Sequence, residues 1–148
     1  LRARLFHIDD YEELPAFARA HPYTLFFSHQ WLANTQPDPH KTHYGAMCLA
    51  ADALCRQLGI EPFELLIWCD LFSIPQRNTA MQRAALSSLA VYASTCRYFV
   101  VVAPEVRHAD LKDAEGKELV CNLHSWQRRG WCRLEQLARM SGGGRGDM

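Results

Sequence analysis

Three short apolar segments stand out along this chain, and each one leads into polar residues or a proline. They cover residues 23–28, 63–71 and 97–103. Their aromatic and β-branched side chains, with few polar interruptions, predict buried strands. The second segment is apolar nearly throughout, as expected of a strand that is covered on both faces.

Apolar residues recur at helical spacing between these strands and again near the end of the chain. This spacing predicts helices over residues 45–58, 79–92 and 131–140. The last helix places four apolar residues on one face: Trp131, Leu134, Leu137 and Ala138. Strands that alternate with helices favour parallel pairing through right-handed crossovers. The pattern therefore predicts an α/β fold with a doubly wound parallel sheet.

The two ends of the chain differ from its centre. Residues 1–22 are predicted to be an approach segment with a short helix, which Asp9 or Asp10 caps. Residues 23–148 then form the domain, whose last helix is followed by a glycine-rich stretch instead of a strand. We therefore expect that the sheet continues beyond Met148 and that C-terminal strands of the domain are missing.

Three stretches between the apolar segments are more polar. Residues 31–44 form a long predicted loop, and long loops in compact domains are often functional. Residues 72–78 form a shorter loop that contains a proline. Residues 106–127 are predicted to be irregular, with a turn at 112–117 and a short strand at 118–122.

Composition narrows the class of protein. Of the 148 residues, 49% are hydrophobic and 22% are charged, which is typical of one globular domain. Basic and acidic residues number 16 each, so the charge pattern predicts no nucleic-acid partner and no anionic membrane surface. No apolar run reaches the roughly 20 residues of a spanning helix. The six cysteines form no C-x-x-C pair, which favours reduced, mostly buried thiols and a cytoplasmic location.

Polar side chains follow the first two strands and lie near the start of the last helix. Ser28 ends the first strand, Asp70 lies near the end of the second, and Glu135 lies within the last helix. Because open α/β folds place their sites at the carboxyl ends of parallel strands, we expect a site there.

The chain carries L-F-F-S at 25–28, L-L-I-W-C-D at 65–70, C-R-Y-F-V-V-V-A-P at 96–104 and W-C-R-L-E at 131–135. In this order, these motifs resemble those of Toll/interleukin-1 receptor (TIR) domains. Residues 25–28, L-F-F-S, resemble the first strand of that family. Residues 65–70 resemble its second strand, which often ends in an acidic residue before the so-called BB loop. Residues 96–104 resemble its third strand, and residues 131–135, W-C-R-L-E, are similar to the W-C-x-x-E of plant-type TIR domains. The resemblance covers about residues 23–140.

This resemblance implies a flavodoxin-like fold with five parallel strands and an activity that cleaves NAD+ at the nicotinamide–ribose bond. The products would arise by hydrolysis or cyclisation, after homotypic TIR–TIR association in signalling or defence. NAD+ would be the substrate, and no separate cofactor is implied. Glu135 takes the catalytic position, and Ser28 takes that of the serine that ends the first strand. The chain departs from the family at His29 and Gln30, where an aromatic residue and an arginine are common.

Three of the candidates offer a carboxylate or a flat aromatic face. Glu135 could stabilise positive charge that develops on the ribose, or it could be a surface glutamate favoured by the helix dipole. Trp31 and Trp131 could stack on nicotinamide or adenine, or each could pack in the core.

Three further candidates offer hydrogen bonds or positive charge. Ser28 could donate to the substrate or make a structural turn bond. Asp70 could bind a ribose hydroxyl or cap the loop that follows it. Arg129 could contact the pyrophosphate, or it could be a solvent-exposed side chain at a helix start.

A second functional class remains open, which is a non-catalytic interaction module of the same fold. Its contact surface would be the segment that follows the second strand, where exposed Phe72 and Ile74 lie close to Pro75. The segment consists of Phe72, Ser73, Ile74, Pro75 and Gln76.

A third class is a hydrolase that uses a thiol. A helix N-terminus could lower the pKa of Cys132, whereas burial in a strand would leave Cys69 inert. His29 adjoins Ser28, but neighbouring strand residues point to opposite faces and so should not pair as base and nucleophile. His40 and His43 could hold a metal, yet no third ligand is evident. We therefore predict two solvated loop histidines and no metal site.

Overall fold

A parallel three-stranded sheet lies at the centre of the computed structural model, which describes Ile8 and residues 10–142. Strand β1, Thr24–His29, is the middle strand. Strands β2, Leu66–Trp68, and β3, Tyr98–Val102, pair with it on either side. The sequence-based prediction of a mixed α/β fold with parallel pairing is confirmed. Asp9 and the glycines after residue 142 lie outside the described residues.

Helices cover both faces of this sheet. Two of them carry much of the covering, because α2 packs on one face and α5 on the other. In chain order the helices are α1, Leu14–Ala20; α2, Thr42–Leu58; α3, Asp70–Ser73; α4, Thr79–Ser87; α5, Leu89–Thr95; α6, Leu123–Arg128; and α7, Gly130–Ser141. Short 3₁₀ turns, Tyr11–Glu13 and Pro62–Glu64, precede α1 and β2.

The alternation of side chains along β1 divides the core into two halves. Leu25 and Phe27 pack with Cys55 of α2 on one face, whereas Phe26 packs with Leu89 and Ala93 of α5 on the other. Each of these side chains is at most 6% exposed. Burying a large apolar side chain contributes roughly 1.5–3 kcal/mol, so β1 is a principal source of stability. The same alternation aims successive residues at the end of β1 in opposite directions.

Residues 106–127 are ordered, which corrects the prediction that they are irregular. They form an antiparallel hairpin of β4, Val106–Lys112, and β5, Glu118–Cys121, followed by α6. The predicted turn and short strand are confirmed within this hairpin. Its backbone is tied to the loop after β1, since the Ala109 N–H donates to the Leu32 carbonyl at 2.7 Å. The hairpin therefore positions α6 beside the end of the central strand.

Several element boundaries also differ from the sequence-based expectation. Helix α2 begins within the long predicted loop, because the Asp38 carboxylate accepts from the backbone N–H groups of Thr42 and Tyr44. The single helix expected over 79–92 is divided at Ser88 into α4 and α5. Strand β2 is shorter than predicted and covered on one face only, because Ile67 is 51% exposed.

Helix α7 packs differently from the pattern in its sequence. Its apolar side chains Trp131, Leu134 and Leu137 are between 39% and 61% exposed. The face that turns inward instead carries Cys132 and Glu135, both of which are buried. This arrangement packs the Glu135 carboxylate against the sheet. Apolar periodicity alone would place that carboxylate on the surface.

Two properties of the whole chain complete the description. All six cysteines are free thiols, and four of them are buried, as predicted. Within the described ranges, no helix has the length and apolar character needed to cross a membrane.

Candidate active site

The ends of β1 and β2 and the first turns of α7 enclose a cleft of about 240 Å³. Five of the predicted site residues line it together: Trp31, Asp70, Arg129, Trp131 and Glu135. They come from three separate segments of the chain, residues 31, 70 and 129–135, which the fold brings together. The cleft lies at the carboxyl end of the strands, where open α/β folds commonly bind ligands.

Glu135 is the buried carboxylate of this cleft. Only 7% of the residue is exposed, and its Oε2 accepts a hydrogen bond from the Ser28 hydroxyl. Burial raises the pKa of Glu135 to about 7, the Ser28 hydrogen bond opposes this rise, and the nearby Asp70 charge adds to it. The group therefore titrates near neutral pH, which is a property common among functional carboxyls. The alternative of a solvated surface glutamate is excluded.

Ser28 lies behind Glu135 and does not line the cleft. It is fully buried, and its Oγ accepts from the indole Nε1–H of Trp126 at 3.0 Å while donating to Glu135. The prediction that Ser28 contacts the substrate is corrected, because its hydrogen bonds are used inside the protein. The Trp126–Ser28–Glu135 chain positions the carboxylate.

Trp126 and Gln30 are site-supporting residues that the sequence analysis missed. Gln30 is 2% exposed, and its Nε2 donates to Ser125 Oγ at 2.8 Å and to the Asn122 carbonyl at 3.2 Å. It thereby anchors the start of α6, the helix that carries Trp126. Asn122 and Ser125 form a capping box, and this pattern in the sequence could have revealed α6.

Asp70 and Trp31 are joined by a hydrogen bond. The Trp31 indole Nε1–H donates to Asp70 Oδ2 at 2.9 Å, which fixes the plane of the ring at the cleft. Asp70 is the first residue of α3, and its Oδ1 also accepts from the Leu71 backbone N–H at 2.6 Å. This local contact agrees with the capping alternative, and binding of a ribose hydroxyl stays a prediction. Trp31 lies at the surface of the cleft and is not a core residue.

Arg129 and Trp131 lie at the mouth of the cleft. Arg129 is the exposed residue that immediately precedes α7, and Trp131 is 51% exposed. A guanidinium group and a flat indole surface at the rim suit an anionic group and a flat ring, respectively. The core-packing alternative for Trp131 is excluded by its exposure.

The segment proposed as a contact surface, residues 72–76, is only partly exposed. Phe72, within α3, is 72% exposed, but Ile74 is only 6% exposed and lines the cleft. The expectation that both are exposed is therefore wrong for Ile74. Ser73 ends α3, its Oγ accepting from the Cys69 N–H, and Pro75 is half-buried. Gln76 folds back, its Nε2 donating to the Ile74 carbonyl at 3.0 Å.

The thiols of this region are buried and protonated. Burial raises the pKa of Cys69 and of Cys132 to about 12 in each case, and the neighbouring carboxylates Asp70 and Glu135 add to the rise. The raised pKa of Cys69 supports the prediction of an unreactive thiol in the protein without a bound metal. The proposal that the N-terminus of α7 lowers the pKa of Cys132 is wrong, because desolvation outweighs the helix dipole there.

The difference in burial between Cys48 and Cys132 predicts the order in which their thiols are modified. The exposed Cys48 should react with a maleimide at pH 7 well before Cys132, because a buried thiol of raised pKa supplies almost no thiolate. Peptide mapping by mass spectrometry after timed labelling would show the order. Any hydrolytic activity of the protein should survive full labelling of Cys48. Rapid labelling of Cys132 with parallel loss of that activity would instead support the hypothesis of a hydrolase that uses this thiol.

No protein-family model matches the chain, and no curated protein or solved structure matches it either. The chemistry of the cleft therefore rests on its own residues. One carboxylate is buried beneath it, a second lies beside it, and a guanidinium group and two indoles surround its opening. Such an arrangement can bind a molecule that has an aromatic ring, a positive centre and an anionic group.

Proposed function

We propose that this chain is a TIR-like domain of the flavodoxin-like class that cleaves NAD+ at the nicotinamide–ribose bond, with Glu135 as the catalytic carboxylate. The observation that carries the proposal is the buried Glu135, held by Ser28 beneath a cleft at the carboxyl end of the sheet. The strand order β2-β1-β3 supports the fold assignment, because flavodoxin-like sheets begin with that order.

A carboxylate suits this reaction because breaking the glycosidic bond builds positive charge on the ribose. Nicotinamide leaves from a cationic state as a neutral molecule, so the step needs no strong general acid. A negative charge held by Ser28 in a desolvated position interacts with that developing charge more strongly than it would in water. The main requirement is therefore a positioned carboxylate in a shaped cleft.

The remaining residues of the cleft match the other parts of NAD+. Trp131 and Trp31 offer flat surfaces for the nicotinamide or the adenine, and Asp70 can accept from a ribose hydroxyl while it holds Trp31. Arg129 at the rim can pair with the pyrophosphate. We propose hydrolysis or cyclisation as the outcome, since either follows the same bond cleavage.

The rival is an interaction module without activity, and exposed apolar side chains favour it. Phe72 beside the cleft and Leu137 on α7 are each more than 60% exposed. By resemblance, the NAD+-cleaving function itself would use homotypic association, so an apolar surface fits both proposals. The cytoplasmic location remains a prediction.

The test is NAD+ consumption by concentrated protein, with the products separated by chromatography. Release of nicotinamide with ADP-ribose or a cyclic form supports the enzyme and identifies its second step. The assay is repeated with copies tethered to one another, because family activity is expected to rise on association. Binding of a second copy without NAD+ loss, in both formats, would favour the interaction module.

The pH dependence of the reaction provides a second test. Turnover should rise with pH around the raised pKa of Glu135, about 7, because the ionised form is the reactive one. Besides Ser28, this carboxyl is influenced by Asp70, whose charge opposes ionisation, while the Cys132 thiol stays protonated over this range. The measurement is the steady-state rate between pH 5 and pH 9. On the acidic limb the rate should rise about tenfold for each pH unit.

Removing the Ser28 hydroxyl should move that profile. Ser28→Ala takes away the hydrogen bond that lowers the pKa of Glu135, so the midpoint should shift to higher pH while the alkaline plateau is largely kept. Ser87→Ala, on exposed α4, is the matched control and should leave the profile unchanged. A pH-independent rate, or a shift to lower pH, would contradict the assignment.

A further inference from the structure

A second cluster of polar side chains surrounds His29, which leaves β1 on the face opposite to Ser28 and also lines the cleft. His29 points away from Ser28 and approaches the end of β2, where its Nε2 lies 3.4 Å from Asp70 Oδ1. The Cys69 Sγ lies 3.8 Å from the same oxygen. All three atoms, one nitrogen, one sulfur and one oxygen, lie within 4.8 Å of one another. None of this arrangement is used by the proposed cleavage of NAD+ except Asp70.

His43 adjoins this cluster from α2. It is only 1% exposed, and neither Nδ1 nor Nε2 has a hydrogen-bond partner. Its ring is perpendicular to that of His29, with the two centroids 5.5 Å apart. The expectation of a solvated loop histidine is therefore wrong for His43. Buried polar groups are nearly always paired, so an unpaired imidazole beside three potential ligands calls for a partner.

We propose that His29, Cys69 and Asp70 bind one zinc-class divalent cation, with His43 as the fourth ligand. A tetrahedral zinc separates its nitrogen and oxygen ligands by about 3.3 Å, and its sulfur and oxygen ligands by about 3.5 Å. The corresponding distances here, 3.4 Å and 3.8 Å, need only small adjustment. Two imidazoles on one such ion have ring centres about 5 Å apart, close to the 5.5 Å found. The His43 nitrogens are not part of the 4.8 Å group, so this ring would have to turn toward the ion.

The donor set selects the class of metal. Imidazole and thiolate ligands suit zinc and similar borderline ions, whereas magnesium and calcium require oxygen ligands throughout. One thiolate and one carboxylate neutralise the two positive charges, so the bound site would carry no net charge in its buried position. Binding releases the Cys69 proton to solvent.

The surroundings already hold one ligand in place. Asp70 Oδ2 accepts from the Trp31 indole at 2.9 Å, and Oδ1 accepts from the Leu71 backbone N–H at 2.6 Å. Oδ1 also faces His29 and Cys69, and its second lone pair would bind the ion. Hydrogen bonds of this kind orient metal-binding carboxylates. Because Asp70 and Trp31 also line the cleft, the ion would stabilise one of its walls. The metal site does not depend on NAD+ cleavage and is tested separately.

The experiment is a titration of metal-free protein with Zn²⁺ and with Co²⁺, which serves as a spectroscopic substitute. We expect one equivalent to bind, and the Co²⁺ form to show a thiolate-to-metal charge-transfer band and tetrahedral visible absorption. Cys69→Ser should remove the charge-transfer band. His29→Asn should weaken Zn²⁺ binding by more than about 100-fold, since the loss of an outer-shell partner alone costs 10–100-fold.

Matched controls use residues of the same type that lie outside the cluster. Cys48→Ser and His40→Asn alter an exposed thiol and an exposed imidazole, and both should leave the affinity and the spectrum unchanged. His43→Leu tests the proposal even if the Cys69→Ser variant does not fold. Without its unpaired nitrogens it should fold at least as well in the absence of metal, yet bind Zn²⁺ more weakly.

Two outcomes would overturn the proposal. One is the absence of stoichiometric Zn²⁺ and Co²⁺ binding by the folded wild type, which would leave a simple His29–Asp70 contact. The other is binding that persists unchanged in His29→Asn and His43→Leu but disappears in Cys48→Ser, which would assign the ion to the surface. The metal site and the proposed function can fail independently. A protein that cleaves NAD+ but binds no metal would contradict only the metal site, and a protein that binds metal but does not cleave NAD+ would contradict only the proposed function.

Discussion

Glu135→Gln is expected to lower the rate of NAD+ cleavage by at least about 10²–10³-fold, an effect typical of removing a group that stabilises transition-state charge. Glutamine keeps the size of the side chain and its carbonyl can still accept from the Ser28 hydroxyl, so the change removes mainly the negative charge. The measurement is nicotinamide release at pH 8, where Glu135 of the wild type is ionised. Substrate affinity should change less than turnover, because the charge acts mainly on the developing cation.

The matched control for this variant is Glu115→Gln, which changes an exposed glutamate in the hairpin turn and should leave turnover unchanged.

The pH dependence of stability should also distinguish the Glu135→Gln and Glu115→Gln variants. Because the pKa of Glu135 is raised from 4.5 to about 7, folding loses stability as pH rises between these values, by about 3 kcal/mol in total. Below pH 4.5 the group is protonated in both states and nothing is lost.

Glu135→Gln removes that loss, so the variant should be no less stable than the wild type at pH 8. Urea unfolding at pH 4 and pH 8 would measure this directly. Turnover by folded Glu135→Gln at the wild-type rate would end the assignment of the carboxylate. Equal inactivity of both proteins, even when copies are tethered, would end the NAD+-cleaving proposal.

Trp126→Ala is expected to lower the free energy of unfolding by about 3–5 kcal/mol, which is among the largest effects of any single substitution in the core. Trp126 is 1% exposed and is the largest of the fully buried side chains. Its removal leaves a cavity and also deprives Ser28 of the indole donor. Chemical denaturation followed by circular dichroism would give the value, against a total stability of roughly 5–15 kcal/mol for a domain.

Trp131→Ala is the matched control, because the same residue type is 51% exposed on α7. It should cost less than about 1 kcal/mol of stability, as substitutions outside the core usually do. Trp126→Phe separates packing from hydrogen bonding, since it keeps most of the apolar bulk and removes the N–H. That variant should lose about 1 kcal/mol. Equal losses for Trp126→Ala and Trp131→Ala would show that α6 does not anchor the site.

The two faces of β1 carry residues of both proposed sites. Ser28 turns toward α6 and α7 and holds Glu135, whereas His29 turns toward α2 and meets Asp70 and His43. The two side chains are neighbours in sequence, yet they leave β1 on opposite faces. A change in the register of β1 by one residue would exchange these faces and disrupt both arrangements.

Local pattern was sufficient for much of this protein. Alternation along β1 predicted that Ser28 and His29 do not pair, and this is confirmed. Apolar runs located all three parallel strands, helical spacing located α2 and α7, and the end of β2 was correctly expected to contribute Asp70. These features depend on residues near one another in the chain, so their periodicity is visible in the sequence.

Only the tertiary structure decided which of these residues are buried and what they contact. Periodicity on α7 favoured Trp131 and Leu134 as a shared face, but the sheet received the face with Glu135. Ser28 and Glu135 are separated by 107 positions, and Trp126 reaches the pair from a segment without clear pattern. A sequence shows which side chains share a face of a helix, whereas the partner of that face is set by packing between distant segments, which determines desolvation and hence the raised pKa of Glu135.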